Sequence, residues 1–213
     1  MINKKGLLLV VSGPSGTGKG TICKDIVAKH EDINLSISAT TRKPRVGEVE
    51  GKSYFFKTKE DFEDMVDKGE FLEHAMIYDN YYGTPKKAIF DELDMGRDVI
   101  LEIEMQGAMQ IKEVYPQAVF IFVLPPSLHE LKNRIIGRGT ETEEQIEKRF
   151  NSAYDEIKLL GDYDYFIFNN IVEKSSEEIL NILEVEKNKV SRYKKDILDM
   201  FEKEIENVKT IIK

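Results

Sequence analysis

Nine residues, Gly13-Pro14-Ser15-Gly16-Thr17-Gly18-Lys19-Gly20-Thr21, constrain the fold of this chain more than any other stretch. An apolar run, Leu7 to Val11, leads into them, and a helix-compatible run from about Thr21 to His30 leads out. The order strand, glycine-rich loop, helix is that of an anion cradle. Glycines let backbone N–H groups close around a phosphate because no Cβ blocks the approach. The helix start adds free N–H groups and a partial positive charge. Lys19 can reach the outer phosphates of a nucleotide as a point charge. The pattern G-x-x-x-x-G-K is met by Gly13, Gly18 and Lys19, but Gly20 stands where Ser or Thr is usual, and Thr21 follows. A dinucleotide site fits worse, since Thr21 occupies the place of the third glycine and such a site has no use for the lysine. The stretch therefore predicts a nucleoside triphosphate site. It does not say what the phosphate is used for.

The 213 residues suit one compact unit with room for small inserted lobes. One cysteine, Cys23, excludes an internal disulfide and suits a reducing compartment. On the helix after the loop, it reads as a small buried apolar residue. Three scattered histidines, His30, His74 and His129, make no zinc site. The apolar run before the loop is too short for a signal segment or a membrane span, so a cytoplasmic protein with no membrane association is expected. A net charge of −8 argues against a general nucleic-acid binder. An acidic protein that binds anions must gather its cations locally.

Strand and helix patterns alternate through most of the chain, which predicts an α/β protein with a parallel sheet covered on both faces. Leu7–Ser12, Asp98–Glu104, Ala118–Leu124 and Tyr165–Asn169 read as its strands. Helices are expected over Lys86–Met95, Gln106–Val114 and Ser127–Ile136, from Thr142 to about Leu160, and through Ser175–Lys213 as one or two charged helices. The stretch from Ser36 to about Phe90 breaks the rhythm and reads as an inserted lobe. Within it, Asn34–Arg45 suggests one short strand ending in a basic turn, and Tyr54–Phe56 and Phe71–Tyr78 two more strands. Thr58-x-x-Asp61 looks like a capping box, and Asn80–Pro85 like a turn.

Three further groups of residues go with the loop. Arg42 and Arg45, in Ser38-Ala39-Thr40-Thr41-Arg42-Lys43-Pro44-Arg45, can clamp one phosphate with forked donors, and Tyr54 can add a neutral one. Glu102 and Glu104, at the end of a buried strand, should point to one face and can hold Mg²⁺ directly or through water. Arg134, Arg138 and Arg149, beside Gly137 and Gly139, suit a flap that closes over phosphates. Arg134 and Arg138 share a helix face, where like charges repel unless an anion lies between them.

Taken together these residues resemble the guanylate kinase family over nearly the whole chain. Ser38-x-Thr40-Thr41-Arg42-x-Pro44-Arg45-x-Gly47-Glu48 is similar to that family's GMP-binding signature. Glu70-Phe71-Leu72-Glu73, Asn80–Thr84, Glu104-Met105-Gln106-Gly107, Gly137-Arg138-Gly139 and Lys148-Arg149 follow in the family's order. The resemblance implies a P-loop NTPase-type core (1–35, 91–127 and 152–213), a GMP-binding lobe (36–90) and a lid (128–151). It implies Mg²⁺-dependent transfer of the ATP γ-phosphoryl group to GMP, with dGMP also accepted. Gly13–Thr21, Arg134, Arg138 and Asn169 would bind ATP. Ser38, Glu73 and Thr84 would hold guanine, and Arg42, Arg45, Tyr54 and Tyr82 its phosphate, with Glu102 and Glu104 nearby. Lys19, Arg42, Arg134, Arg138 and Arg149 would carry catalysis, and Thr21, Glu102 and Glu104 would face the metal. The expected partners are these nucleotides, with the chain a monomer or a homodimer. Glu104 departs from the family's usual Asp, and Asn170 from a frequent Asp. The tail beyond about Lys195 runs past the family's usual end.

Overall fold

Leu8–Ser12 (β1) is buried on both faces, and its alternating side chains build two cores. Leu9 and Val11 pack with Ile22, Cys23 and Ile26 of Lys19–Lys29 (α1) and with Ile179 and Leu183 of Val172–Glu186 (α7). Leu8 and Val10 pack with Ile89 and Leu93 of Lys86–Asp94 (α3) and with Ala108 and Ile111 of Met105–Val114 (α4). The structure, a computed structural model, describes the backbone of residues 4–77, 79–136 and 143–211, and their side chains except for 143–149 and 206–211. Among the described residues no helix is long and apolar enough to cross a membrane.

Around β1 lies a five-stranded parallel sheet. Its other strands are Ile33–Leu35 (β2), Asp98–Glu102 (β7), Val119–Leu124 (β8) and Tyr165–Phe168 (β9), in the order β2-β7-β1-β8-β9. The chain leaves β1 toward β2 on one side and later places β8 on the other. The C-terminal end of β1 is thus the switch point where α/β sheets open a ligand crevice. Leu128–Ile136 (α5) and Glu143–Ile157 (α6) follow β8; a 3-10 turn, Lys158–Asp162, follows α6; the long helix Val190–Ile211 (α8) ends the described chain.

A second, four-stranded sheet forms the inserted lobe: Ala39–Thr40 (β3), Phe55–Phe56 (β4), Phe71–Ile77 (β5) and Asn80–Pro85 (β6), in the order β4-β3-β6-β5. Lys59–Asp67 (α2) closes one face through Phe62, which is fully buried and stacks on Phe71 at 4.5 Å and on Tyr81 at 5.3 Å between ring centroids. Thr58 caps α2 as its motif predicts, its hydroxyl accepting from the Asp61 N–H at 3.1 Å. Position 90, where the lobe was expected to end, falls inside α3, whose Ile89 and Leu93 pack on the parallel sheet.

Three local expectations are corrected. Asn34–Arg45 is not one strand: β2 pairs with β7 in the main sheet, whereas β3 pairs with β4 and β6 in the lobe. Alternation of Leu35, Ile37 and Ala39 could not reveal that the chain changes sheets between them. Asn80–Pro85 is a strand, not a turn, paired to β5 along its length. Its Asn, Gly and Pro are turn-like, but the edges of β3 and β5 supply partners for its backbone. Glu104 is not on β7, which ends at Glu102, but at the N-cap position of α4. Alternation along a strand therefore does not align it with Glu102.

Candidate active site

The loop Gly13–Gly18 spans the end of β1 and the start of α1, and tertiary contacts explain its composition. Gly13, Gly16 and Gly18 have φ of 137°, 91° and 88°, in the left-handed region that side chains disfavour. A Cβ on Gly13 would stand 2.4 Å from the Val123 carbonyl oxygen, and one on Gly18 2.4 Å from Asn169 Nδ2. Lys19 is buried against its own loop, its ammonium donating to the Gly13 and Pro14 carbonyls at 2.5 and 3.2 Å. Thr17 closes the same turn, its hydroxyl donating to the Pro14 carbonyl at 2.9 Å. Ser15 and Gly16 at the loop's tip are half-buried, and Thr21, in the first turn of α1, is exposed.

Asn169, just past β9, and Arg134 on α5 brace this loop. The Asn169 amide donates to the Thr17 carbonyl at 2.7 Å, and Ser175 donates to the Asn169 side-chain oxygen at 3.2 Å. The Arg134 guanidinium donates to the carbonyls of Thr17 at 3.4 Å and Asn169 at 3.1 Å, and to Glu130 at 2.9 Å. Arg138 lies outside the described residues, and Arg149 is on α6, its side chain likewise outside them.

Gly20 faces an acid from another strand. A Cβ there would stand 2.9 Å from a carboxylate oxygen of Glu102. A Ser or Thr there would need the exposed Glu102 side chain, at the end of β7, to swing aside. Glu102 and Glu104 are both exposed at this edge of the sheet. Behind them lie Glu156, Tyr163 and Ser12, which sequence reasoning missed. One carboxylate oxygen of Glu156, the Tyr163 hydroxyl and the Ser12 hydroxyl are buried with no hydrogen-bond partner among the described residues. Burial raises the Glu156 carboxyl, the Glu104 charge adds to this, and Lys19 opposes it. Burial likewise pushes the Tyr163 phenol up to about 12. The only signal in the sequence is position: Glu156 follows Arg149 by two helical turns, and Tyr163 just precedes β9.

In the lobe, Arg42 is held by Glu48 through two parallel bonds of 2.8 and 2.9 Å, and Glu48 also accepts from the Arg45 N–H at 2.7 Å. Arg42 and that amide hold the Glu48 carboxyl at about 2. The guanidinium lies 5.3 Å from the Tyr54 ring centroid, and Tyr54 and Tyr82 meet edge to face at 6.0 Å. Arg42, Tyr54 and Tyr82 thus form one cluster, with the Arg45 side chain exposed beside it. Glu48 belongs to the lobe's motif, but its grip on Arg42 needed the folded loop to be seen.

Glu73 on β5 is buried, and Thr84 on β6 donates its hydroxyl to it at 2.6 Å. Burial raises its carboxyl above the usual range, and the Thr84 bond opposes that. Gly107 of α4 comes close enough that a Cβ would stand 2.9 Å from the free Glu73 oxygen. Ser38 lies just before β3, half-buried, its carbonyl accepting from the Phe55 N–H at 2.9 Å. The fold therefore brings the predicted residues together as two groups: a phosphate loop with its braces, and a lobe carrying a buried acid beside an arginine–tyrosine cluster.

A family model for guanylate kinase matches residues 5–186. The chain is 67% identical over 205 residues to the guanylate kinase of Clostridioides difficile (strain 630), covering 96% of this chain and all of that one. It is 55% identical over 193 residues to the guanylate kinase of Caldanaerobacter subterraneus subsp. tengcongensis, covering 91% and 94%. Among solved structures it is similar to the guanylate kinase of Anaplasma phagocytophilum, with a TM-score of 0.71 at 36% identity over 89% of this chain and 90% of that one. With a phosphate loop, an acid-bearing lobe and relatives matched nearly end to end, the chain belongs to the guanylate kinase family, whose activity is phosphoryl transfer from ATP to GMP.

Proposed function

We propose that the two groups of residues divide that reaction between them. The loop amides of Gly13–Thr21 and Lys19 take the ATP phosphates, braced by Asn169 and Arg134. To do so Lys19 exchanges the Gly13 and Pro14 carbonyls for phosphate oxygens. Arg42, Arg45, Tyr54 and Tyr82 take the GMP phosphate, and Glu48 is the anion that this phosphate must displace or share. Ser38, Glu73 and Thr84 read the base. Guanine presents N1–H and N2–H₂ side by side, and one carboxylate can accept both. Adenine lacks that pair and would leave the buried Glu73 unmatched, a mismatch that discriminates by about 10⁴ or more.

The nucleophile is a phosphate oxygen that already carries charge, so no general base is required. The obstacle is repulsion. Two unit charges about 5 Å apart cost about 3 kcal/mol at an effective dielectric of 20, and the two nucleotides bring several such pairs together. Lys19, Arg42 and Arg134, with Arg138 and Arg149, offset this, and holding the two phosphates in line supplies the rest.

The residues present fit a magnesium ion of the kind that keeps much of its water. Among the described residues no three His, Cys, Asp or Glu side chains cluster as a metal cage. Exposed Glu102 and Glu104 at the crevice suit an ion held by one or two carboxylates, water and nucleotide phosphates. Thr21, on the exposed first turn of α1, is the third candidate. When bound, such an ion neutralises charge on the transferring phosphates. Cys23 is unpaired and buried, its thiol pushed up to about 12 mainly by burial. An unreactive free cysteine suits a reducing compartment, and we place the reaction in the cytoplasm.

The buried Glu73–Thr84 pair is the observation that carries the acceptor assignment. An ADP-release assay with GMP, dGMP, AMP, CMP and UMP tests it. Turnover with GMP and dGMP alone is expected; comparable turnover with AMP overturns the assignment.

A further inference from the structure

We propose that Gly107 and Gln110 of α4 are positioning residues for the acceptor: they fix where the Glu73 carboxylate stands and so which base it takes, a role that rests on Glu73 being the group that meets guanine. Helix α4 belongs to the body of the molecule and β5 to the inserted lobe, and the two interlock over three consecutive residues of β5. Leu72 is buried in the cluster that contains Ala108 and Ile111 of α4. The Glu73 carboxylate lies against Gly107. The His74 N–H donates to the Gln110 side-chain oxygen at 3.2 Å.

Strand pairing explains how three neighbours can all meet one helix. Side chains alternate along a regular strand, so Leu72 and Glu73 would point to opposite faces. Here Phe71 pairs with Pro85 and Glu73 with Thr84, so β5 advances two residues where β6 advances one. Such a bulge re-aims the side chains beside it. Phe71 stays in the lobe, stacked on Phe62, while Leu72 and Glu73 both reach the body. β5 is also an edge strand of the lobe's sheet, and Gln110 takes the His74 N–H on the side where no further strand lies.

Gly107 lets the helix pass this close. A Cβ there would lie 2.9 Å from Glu73 Oε2, 3.2 Å from Cδ and 3.5 Å from Cγ. Because Cδ is crowded as well as an oxygen, turning the carboxylate about its own axis does not relieve the contact. On its other side the carboxylate holds the Thr84 hydroxyl at 2.6 Å. It is caught between that hydroxyl and the helix, and it can yield to a methyl group only by giving up Thr84 or its aim. Glu104, at the N-cap position of α4, is one turn from Gly107. The first turn of α4 therefore sets the base-reading acid against the phosphate edge of the site.

Steady-state kinetics with GMP, AMP and ATP on Gly107→Ala, Gln110→Met and Gln110→Glu test the proposal. Gly107→Ala should raise the GMP KM about tenfold or more and narrow the preference for GMP over AMP by a similar factor, with the ATP KM within about twofold of wild type. Its Tm should stay within about 3 °C of wild type, because Ala is the better helix former and offsets the displaced carboxylate. Gln110→Met keeps the shape but loses the acceptor, and should raise the GMP KM about threefold to tenfold. Gln110→Glu restores an acceptor and should return that KM to within about twofold of wild type. In a Glu73→Gln background, Gly107→Ala should cost less than about twofold, since the group it positions is already altered; a general loss of structure would cost the same in both backgrounds. Wild-type GMP kinetics in both Gly107→Ala and Gln110→Met, beside a Glu73→Gln that has lost GMP, overturns the positioning role alone. Wild-type kinetics in Glu73→Gln overturns base reading and the positioning role with it. A lowered Tm in Gly107→Ala with the GMP preference intact also overturns the proposal, and marks Gly107 as a packing residue.

Discussion

Replacing Glu73 by Gln separates base reading from stability. The carboxylate has one oxygen bonded to the Thr84 hydroxyl at 2.6 Å and a second packed beside Gly107. A charge-assisted hydrogen bond contributes about 1.5–3 kcal/mol. Gln keeps one acceptor and turns the other position into a donor that faces a donor of guanine. One lost bond and one mismatched pair together cost about 3–4 kcal/mol, a fall in kcat/KM for GMP of about 10²–10³. The unliganded protein should respond in the opposite sense. Burial raises the Glu73 carboxyl, so this group favours folding below its unfolded value and loses that contribution as pH rises through its folded value. Near neutral pH the wild type holds a disfavoured buried charge that Gln removes. The Tm of E73Q without nucleotide should therefore equal or exceed that of the wild type, with the gap narrowing as pH falls toward the carboxylate range. Steady-state assays and thermal unfolding between about pH 5 and 8 check both parts. A GMP kcat/KM within about threefold of wild type refutes the base-reading role, and a lowered Tm would mark Glu73 as structural.

Lys19→Ala should cut turnover about 10³-fold or more while calorimetry finds GMP binding intact; wild-type turnover would remove Lys19 from the ATP site. Gly20→Thr restores the residue most phosphate loops have, yet its Cβ would stand 2.9 Å from Glu102. The exposed carboxylate can swing aside, so stability in denaturant unfolding should change by less than about 1 kcal/mol while the displaced Glu102 lowers activity; a loss of more than about 3 kcal/mol would show that the site cannot give. Glu48 is held at about 2 by Arg42, so its contribution to ordering the Arg42–Glu48 loop is present above the ordinary carboxylate value and is lost as pH falls toward about 2. Carbon-detected NMR of its carboxyl should give a midpoint near that value, and a midpoint near 4 would mean that the Arg42 pairing does not persist in solution.

Much of the fold was legible because strand and helix periods are local. The continuous apolar strands, the Thr58 cap and the helices around Lys86–Asp94 and Met105–Val114 all announce themselves in adjacent residues. The errors fall where a neighbour decides. Asn80–Pro85 has turn composition but pairs because β3 and β5 offer edges on both sides. Asn34–Arg45 has one alternating pattern but serves two sheets. Glu104 continues an acidic strand end in sequence, yet the chain has already turned into α4. Glu156, Tyr163 and Ser12 escaped notice because nothing in their spacing shows that three separate elements bury them together.

Taken by itself, the sequence determined the phosphate loop, the alternation that makes the parallel sheet, and the inventory of acids and arginines. Those properties reside in short stretches, where glycine conformation, side-chain period and charge act between near neighbours. Only the tertiary structure decided which of those groups face one another. Gly20 faces the carboxylate of Glu102, far along the chain, a meeting that neither stretch announces by itself. Glu73 meets Thr84 because a register shift between Phe71 and Glu73 sets the β5–β6 pairing. Arg42 rests on Glu48 because the lobe's loop folds back on itself. Such contacts depend on close packing between elements, where a few tenths of an ångström separate a fit from a clash, and no local pattern encodes that.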